Sequence, residues 1–117
     1  MDIHPEPEHA RVQVRIGRTL HDLGHLDDTA CIRDIHAARA VVEALIQAQL
    51  FVRDRAVVFT SVLHVSDVDT WLAYRQERSS RSLLDPQLVE RARAYLSRAE
   101  GEILIVDRAY AGCLRRL

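Results

Sequence analysis

Two histidines four residues apart are the first candidates for chemistry in this sequence. His21 and His25 frame the segment His21-Asp22-Leu23-Gly24-His25. On an α-helix this spacing places both imidazoles on one face, as two ligands of one metal ion require. In a loop the same two side chains would simply face solvent, so the surrounding elements decide between the two interpretations.

The letters Leu20-His21-Asp22-Leu23-Gly24-His25 resemble the His-Asp motif of HD-domain phosphohydrolases. Those enzymes need an upstream histidine on a preceding helix and a distant aspartate within a larger helical bundle. Here the residues directly upstream alternate as a strand does, and His9 is too close in the chain to come from a separate packed helix. We therefore favour solvent-exposed loop histidines, with a divergent HD-like metal-dependent hydrolase as an alternative function.

A second candidate site is a group of basic and aromatic side chains in the second predicted helix and just after it. Its members are Trp71, Tyr74, Arg75, Arg78 and Arg81. Such a group would bind an anion or a protein partner, or stack a base. The competing interpretation is a solvated helix face with Trp71 in the core. A small-ligand or anion-binding protein is therefore another alternative function.

Motifs that would define an enzyme are incomplete in this sequence. The four glycines are too far apart for a phosphate-cradling loop or a dinucleotide fingerprint. No serine stands in a Gly-x-Ser-x-Gly elbow. The sequence accordingly predicts no catalytic residue, no metal site and no cofactor, and it leans against an enzyme.

Composition indicates one globular domain that does not bind membranes. The chain has 117 residues and a net charge of −1, which makes nucleic acid an unlikely partner. No run is apolar for the length of a membrane span, and the acidic, proline-containing start is not a secretory signal. Cys31 and Cys113 lie far apart and are typical of free thiols in a reducing compartment, so we expect a cytoplasmic protein.

The pattern of elements predicts an α/β (α+β) fold. Residues 1–9 are expected to form a flexible arm and residues 10–117 a single domain. The predicted elements are a strand at 11–16, a connection at 17–28, a helix from Thr29 to about Leu50, a strand at 56–64, helices at 67–78 and 86–99, and a strand at 103–111. They predict a small three-stranded mixed sheet in the order 1-3-2, with three helices packed mainly on one face.

The predicted strand order depends on the run Ile103-Leu104-Ile105-Val106. Four consecutive apolar residues indicate a strand covered on both faces, hence a central one. By contrast, Val12, Val14 and Ile16 alternate with polar residues, so the first predicted strand should have one buried face and one wet face.

The runs Val65–Arg75, Leu84-Asp85-Pro86 and Glu102–Val106 together resemble the C-terminal third of class I S-adenosylmethionine-dependent methyltransferases. The resemblance covers about residues 10–117. It implies that the last strand lies antiparallel between the first two. The family's glycine-rich cofactor loop and its ribose-binding acid belong to the missing first half, so no cofactor and no catalytic residue carries over.

Losing that half has a structural consequence. The strand of Val12, Val14 and Ile16 would lack a neighbour, and its bare backbone edge would invite another chain. These residues are therefore a candidate interface edge, and a homodimer or another protein partner is expected. The favoured function is a non-catalytic methyltransferase-like interaction or dimerisation module, which would complement a cofactor-binding partner.

Overall fold

The computed structural model describes residues 2–117 and contains five β-strands and three α-helices there. Three strands come first, followed by a helix, a strand, two helices and a last strand. The strands are β1 (Asp2–Pro5), β2 (Arg11–Ile16), β3 (Thr19–His25), β4 (Phe51–Val65) and β5 (Gly101–Arg116). The helices are α1 (Thr29–Gln47), α2 (Val68–Glu77) and α3 (Pro86–Arg98). The fold is α+β with three helices, as the sequence predicted.

The strands form one antiparallel sheet organised around β5. One edge of β5 pairs with β4 along nearly its whole length, and the other edge pairs first with β2 and then with β1. β3 lies outside β2. The predicted three-stranded mixed sheet and its order 1-3-2 are wrong, because β1 and β3 add two strands and every pair is antiparallel.

A hairpin of β2 and β3 occupies the segment predicted to be a connection. Gly17 has φ +60° in the tight turn, a conformation that suits glycine, and Ile16 then pairs with Thr19. β2 consequently has a neighbour on both edges, and the side chains of Val12 and Val14 are fully buried. The expectation that Val12, Val14 and Ile16 lie beside an open edge is wrong, since β3 occupies that edge.

The N-terminal residues are also more ordered than their composition indicated. β1 pairs with β5 so that His4 lies opposite Tyr110, and the Glu6 amide donates to the Arg108 carbonyl at 2.8 Å. The segment predicted to be a flexible arm thus contains a paired strand at residues 2–5, while Met1 lies outside the described residues. Backbone pairing compensates here for the lack of apolar side chains.

The core lies between one face of the sheet and the helices α2 and α3. Asp67 and Asp85 cap these helices by accepting hydrogen bonds from backbone amides two or three residues on. The central buried residues are Val12, Val14, Trp71, Leu88, Ala92 and Ile103. We call this part of the molecule the proximal body. It consists of β2, β3, α2, α3 and the adjoining residues 63–65 and 101–106.

Helix α1 covers the opposite face of the sheet, farther along β4 and β5. Ile35, Ala38 and Val42 of this helix face the sheet, but no residue of α1 is buried. The helix ends at Gln47, and Gln49 follows with φ +60°, so the strand that comes next can reverse direction. α1 therefore rests on the sheet as a loose cover rather than as part of the core.

Candidate interaction surface

The predicted anion patch does not form a single site. Trp71 is 1% exposed and belongs to the core. Arg75 donates to the hydroxyl and the carbonyl of Ser82, at 2.8 and 2.6 Å, and its guanidinium lies 6.0 Å from the Trp71 ring centre. Burial lowers the pKa of Arg75, although a guanidinium stays charged at neutral pH. Arg75 therefore clamps the loop between α2 and α3.

The outer members of that patch have structural partners as well. The Arg78 guanidinium lies 4.9 Å from the centre of the Tyr74 ring. Arg81 forms an ion pair with Asp34 of α1. Arg75, Arg78 and Arg81 therefore each contact a different partner, and no contact joins them into one anion site in the described residues.

The two histidines of the His-Asp motif lie on a strand. Because residues 19–25 form β3, the helical spacing that would join both imidazoles does not apply. His21 stacks instead on Tyr95 of α3, with ring centres 4.4 Å apart. Within residues 2–117, no three His, Cys, Asp or Glu side chains are grouped as metal ligands would be.

The most unusual surface lies on the far half of the β4–β5 pair. We call residues 51–62 and 107–116 the distal ribbon. Five large apolar side chains on it are exposed: Val57, Val58, Phe59, Val62 and Leu114. No hydrophobic side chain of the distal ribbon is buried in the described chain. This half of the sheet therefore lacks a core of its own.

One face of the distal ribbon is uncovered. Val57 and Phe59 point to the same side as Leu63 and Val65, which reach the core under α2 and α3. Those helices stop short of the ribbon, so Val57 is 57% exposed and Phe59 42% exposed. The partner strand adds only small side chains here, among them Ala111. We call this the bare face.

The other face of the ribbon, under α1, encloses a cavity of about 610 Å³. Its apolar lining comes from both elements: Ile35, Ala38 and Val42 of α1, and Val58, Tyr110 and Leu114 of the ribbon. Four carboxylates and two guanidiniums also line it: Asp2, Glu6, Asp34, Glu43, Arg39 and Arg53. The cavity is therefore apolar at its centre and acidic on balance at its margin.

Ion pairs and stacked rings hold the margin of this cavity. Arg39 pairs with Glu6 at 2.6 Å, and its guanidinium lies 5.5 Å from the Tyr110 ring centre. The His4 imidazole also stacks on the Tyr110 ring, with ring centres 4.9 Å apart. At the far end Glu43 bonds Arg53 at 2.6 Å and raises the pKa of that guanidinium.

The dimensions of the molecule show how incomplete its burial is. A domain of this length is expected to have a radius of gyration of about 13 Å, whereas the observed value is 17.4 Å. A monomer of 13.4 kDa is expected to expose about 6,500 Å², whereas this chain exposes 8030 Å². The excess, about 1,500 Å² on the same scale, reflects the protruding ribbon.

The sequence contains a signal for this surface that the predictions above did not use. Residues 56–63 are free of charged residues, glycine and proline, and they are apolar at both odd and even positions. That pattern predicts a strand covered on both faces. The folded chain supplies no such cover for Val57 and Phe59, and it covers Val58 only loosely.

Comparisons with known proteins find no family model, no curated protein and no solved structure that matches this chain. The methyltransferase resemblance therefore stays an untested expectation. Within the part of the chain that the structure describes, no helix is long and apolar enough to cross a membrane.

Proposed function

We propose that this chain is a non-catalytic interaction module that works as a homodimer, with the distal ribbon as its interface. The excess exposed area carries the proposal. Burying about 1,500 Å² on each copy would give an interface in the size range of obligate dimers. The ribbon supplies the apolar side chains that such an interface needs at its centre.

A second copy is the simplest partner for this surface. Closed two-fold association covers the same patch on both subunits and leaves no further patch exposed. Of the eleven exposed large hydrophobic side chains in the described residues, five lie on the distal ribbon, and four of these fall within residues 57–62. A contiguous apolar group of this kind is typical of a contact surface. The candidate chemical residues support no competing catalytic role, since His21, Arg75 and Arg81 are each engaged in packing or pairing contacts.

Sedimentation velocity across the micromolar concentration range tests the homodimer. We expect the wild-type chain to sediment as a dimer and the double variant Val57→Asp, Phe59→Arg to sediment as a folded monomer. Leu20→Asp is the matched control, because Leu20 is 53% exposed but lies on β3 in the proximal body. A wild-type chain that remains monomeric throughout would refute the proposal.

A different protein partner is the alternative occupant of the ribbon. If the methyltransferase resemblance holds, that partner would carry the missing cofactor half. Titration of S-adenosylmethionine into the isolated chain is then expected to release no heat. Heat of binding by this chain alone would contradict the idea that it lacks the cofactor half.

The cavity under α1 favours a second candidate function, the binding of a small amphiphile. Its volume of about 610 Å³ lies within the range of ligand pockets. Glu6, Glu43 and Asp34 are each paired with an arginine, so Asp2, next to His4, is the lining carboxylate without an arginine partner among the described residues. Its charge favours an apolar molecule with a cationic group. A long-chain alkylammonium should therefore bind more tightly than an alkyl sulfate of equal length, and Ala38→Trp should abolish the difference by filling the cavity. Equal weak binding of both probes would contradict this function.

A further inference from the structure

We propose that two copies join through the free edges of β4, which pair antiparallel and continue one sheet across the dimer. This proposal rests on the homodimer proposed above and specifies its geometry. Each copy would contribute its five strands. The two-fold axis would stand perpendicular to the sheet, beside Thr60 of each copy.

The first argument is the state of the β4 edge. In residues 2–117, β4 pairs with β5 alone, so its second edge presents unpaired backbone groups along a 15-residue strand. Natural edge strands are protected by charges, prolines, bulges or short length. Residues 56–63 contain neither charge nor proline, and the only register shift in β4 lies before them, between Arg53 and Arg55. An edge of this kind would aggregate unless a specific partner covered it.

The second argument is that apolar side chains are exposed on both faces of β4. Val57 and Phe59 lie on the bare face, while Val58 and Val62 lie on the face of α1. Packing two bare faces together would cover only the first pair. A partner strand alongside β4 would contact side chains on both faces at once, which agrees with the exposure of all four.

The third argument is the self-complementarity of the strand. An axis beside Thr60 places Thr60 opposite its own symmetry mate and Val58 opposite Val62 of the other copy. The same register places Val57 opposite Leu63. β-Branched and threonine pairs of this kind are favoured across antiparallel strands.

Charge at the two ends of β4 favours the antiparallel direction. Arg53, Asp54 and Arg55 give the beginning of the strand a net charge of +1, with Arg53 also paired to Glu43, and Asp67 and Asp69 follow its end. Antiparallel pairing brings the basic end of each copy beside the acidic end of the other. Parallel pairing would place like charges together, which is unfavourable.

Single cysteines test this register in a background of Cys31→Ser and Cys113→Ser, which removes the two native free thiols. Mild oxidation of the Thr60→Cys variant should give a covalent dimer, because directly opposite Cβ atoms lie about 4.5–5.5 Å apart and a small shift brings them to the roughly 3.5–4.5 Å of a disulfide. Val57→Cys is the matched control on the same strand. Its symmetry mate would lie six residues away, at about 20 Å, so it should stay uncrosslinked.

Two outcomes overturn the edge pairing while leaving the homodimer intact. One is a protein that sediments as a dimer but gives no covalent dimer with Thr60→Cys. The other is crosslinking of Val57→Cys, alone or with Thr60→Cys, since the proposed register keeps that position apart from its mate. A background protein that sediments as a monomer overturns the homodimer itself and the pairing with it.

Amide hydrogen exchange gives an independent test without substitutions. In an antiparallel ladder, alternate amides of residues 56–63 point toward β5 and the others point outward. Edge pairing should protect both sets at concentrations where the dimer forms. Rapid exchange of the alternate set in the dimer would overturn the pairing, because face-to-face association leaves those amides in water.

Discussion

The proximal body and the distal ribbon share the two long strands β4 and β5, yet only the proximal body has a hydrophobic core. Every buried hydrophobic side chain of the described chain belongs to the proximal body or to the loops beside it. In the ribbon, Gly112 is buried, but its neighbours on β4 are exposed. Backbone pairing alone thus extends a sheet well past the point where side chains support it, and the unsupported part is the part available for a partner.

The largest expected difference between the two regions concerns the aromatic residues Trp71 and Phe59. Trp71→Ala should lower the free energy of unfolding by about 3–5 kcal/mol, because the ring is fully buried in the proximal body. Phe59→Ala should cost much less in dilute solution, where the ring faces water. Urea unfolding at several protein concentrations measures both.

The effect of concentration is the control for that comparison. If the ribbon is buried in a dimer, the cost of Phe59→Ala rises with protein concentration while that of Trp71→Ala does not. A cost of Phe59→Ala that matches Trp71→Ala in dilute protein would contradict the division into body and ribbon.

Leucines in two helices give the next comparison. Leu88→Ala in α3 should cost about 2–5 kcal/mol, because Leu88 is buried under the sheet. Leu45→Ala in α1 should cost well below that, since α1 has no buried residue. Thermal unfolding followed by circular dichroism measures both losses, and equal losses would indicate that α1 is a true core element.

Two glycines compare the regions at the level of the backbone. A Cβ at Gly101 would collide with the backbone oxygen of Arg15, which the β2 ladder holds in place, so Gly101→Ala should cost about 1–3 kcal/mol. A Cβ at Gly112 would meet only the Tyr110 side chain, which can rotate away.

Gly112→Ala should therefore cost less than Gly101→Ala, and Tyr110→Ala should remove most of that cost. The double variant Tyr110→Ala, Gly112→Ala, compared with Tyr110→Ala alone by urea unfolding, isolates the contact. A cost of Gly112→Ala that persists without the Tyr110 ring would mean that the ribbon backbone is more constrained than the structure indicates.

The smallest expected effect concerns Asp107, at the boundary between the two regions. Burial raises its pKa, and the neighbouring carboxylates Asp28 and Glu8 add to the effect. The folded state therefore takes up a proton more readily than the unfolded state, so this group lowers stability as the pH rises from its ordinary pKa through the raised one. Asp107→Asn should raise the melting temperature at neutral pH.

That gain should disappear in acid, once the wild-type carboxyl is protonated in both states. Melting temperatures of the two proteins between neutral pH and the ordinary aspartate pKa measure the difference. A gain that is independent of pH would show that the carboxylate charge is not its source.

Local pattern predicted much of the element list. The alternation at Arg11–Ile16 predicted β2 and its buried valines, and the capping signals at Asp67 and Asp85 predicted α2 and α3. The apolar run Ile103–Val106 predicted a strand with neighbours on both sides, and β5 has β2 and β4 there. These signals succeed because a period of two or a cap depends on residues close in sequence.

The errors came from strands with weak patterns of their own. β3 has few β-branched residues and carries a register irregularity near Leu23, so only its pairing with β2 makes it a strand. β1 likewise exists through its ladder with β5. Because neither strand is specified by its own residues, both were missed, and the predicted open edge fell on β2, whose outer edge β3 occupies.

The candidate site was the least predictable part. The spacing of Trp71 and Arg75 allowed either a ligand patch or a solvated helix face with Trp71 in the core, and packing placed Trp71 in the core and Arg75 against Ser82. The sequence by itself determined that three helices and the strands β2, β4 and β5 would form, and which of their faces were apolar. Only the tertiary structure decided which of those apolar faces found a cover, because coverage depends on how far α1, α2 and α3 reach along a sheet whose length no local pattern fixes.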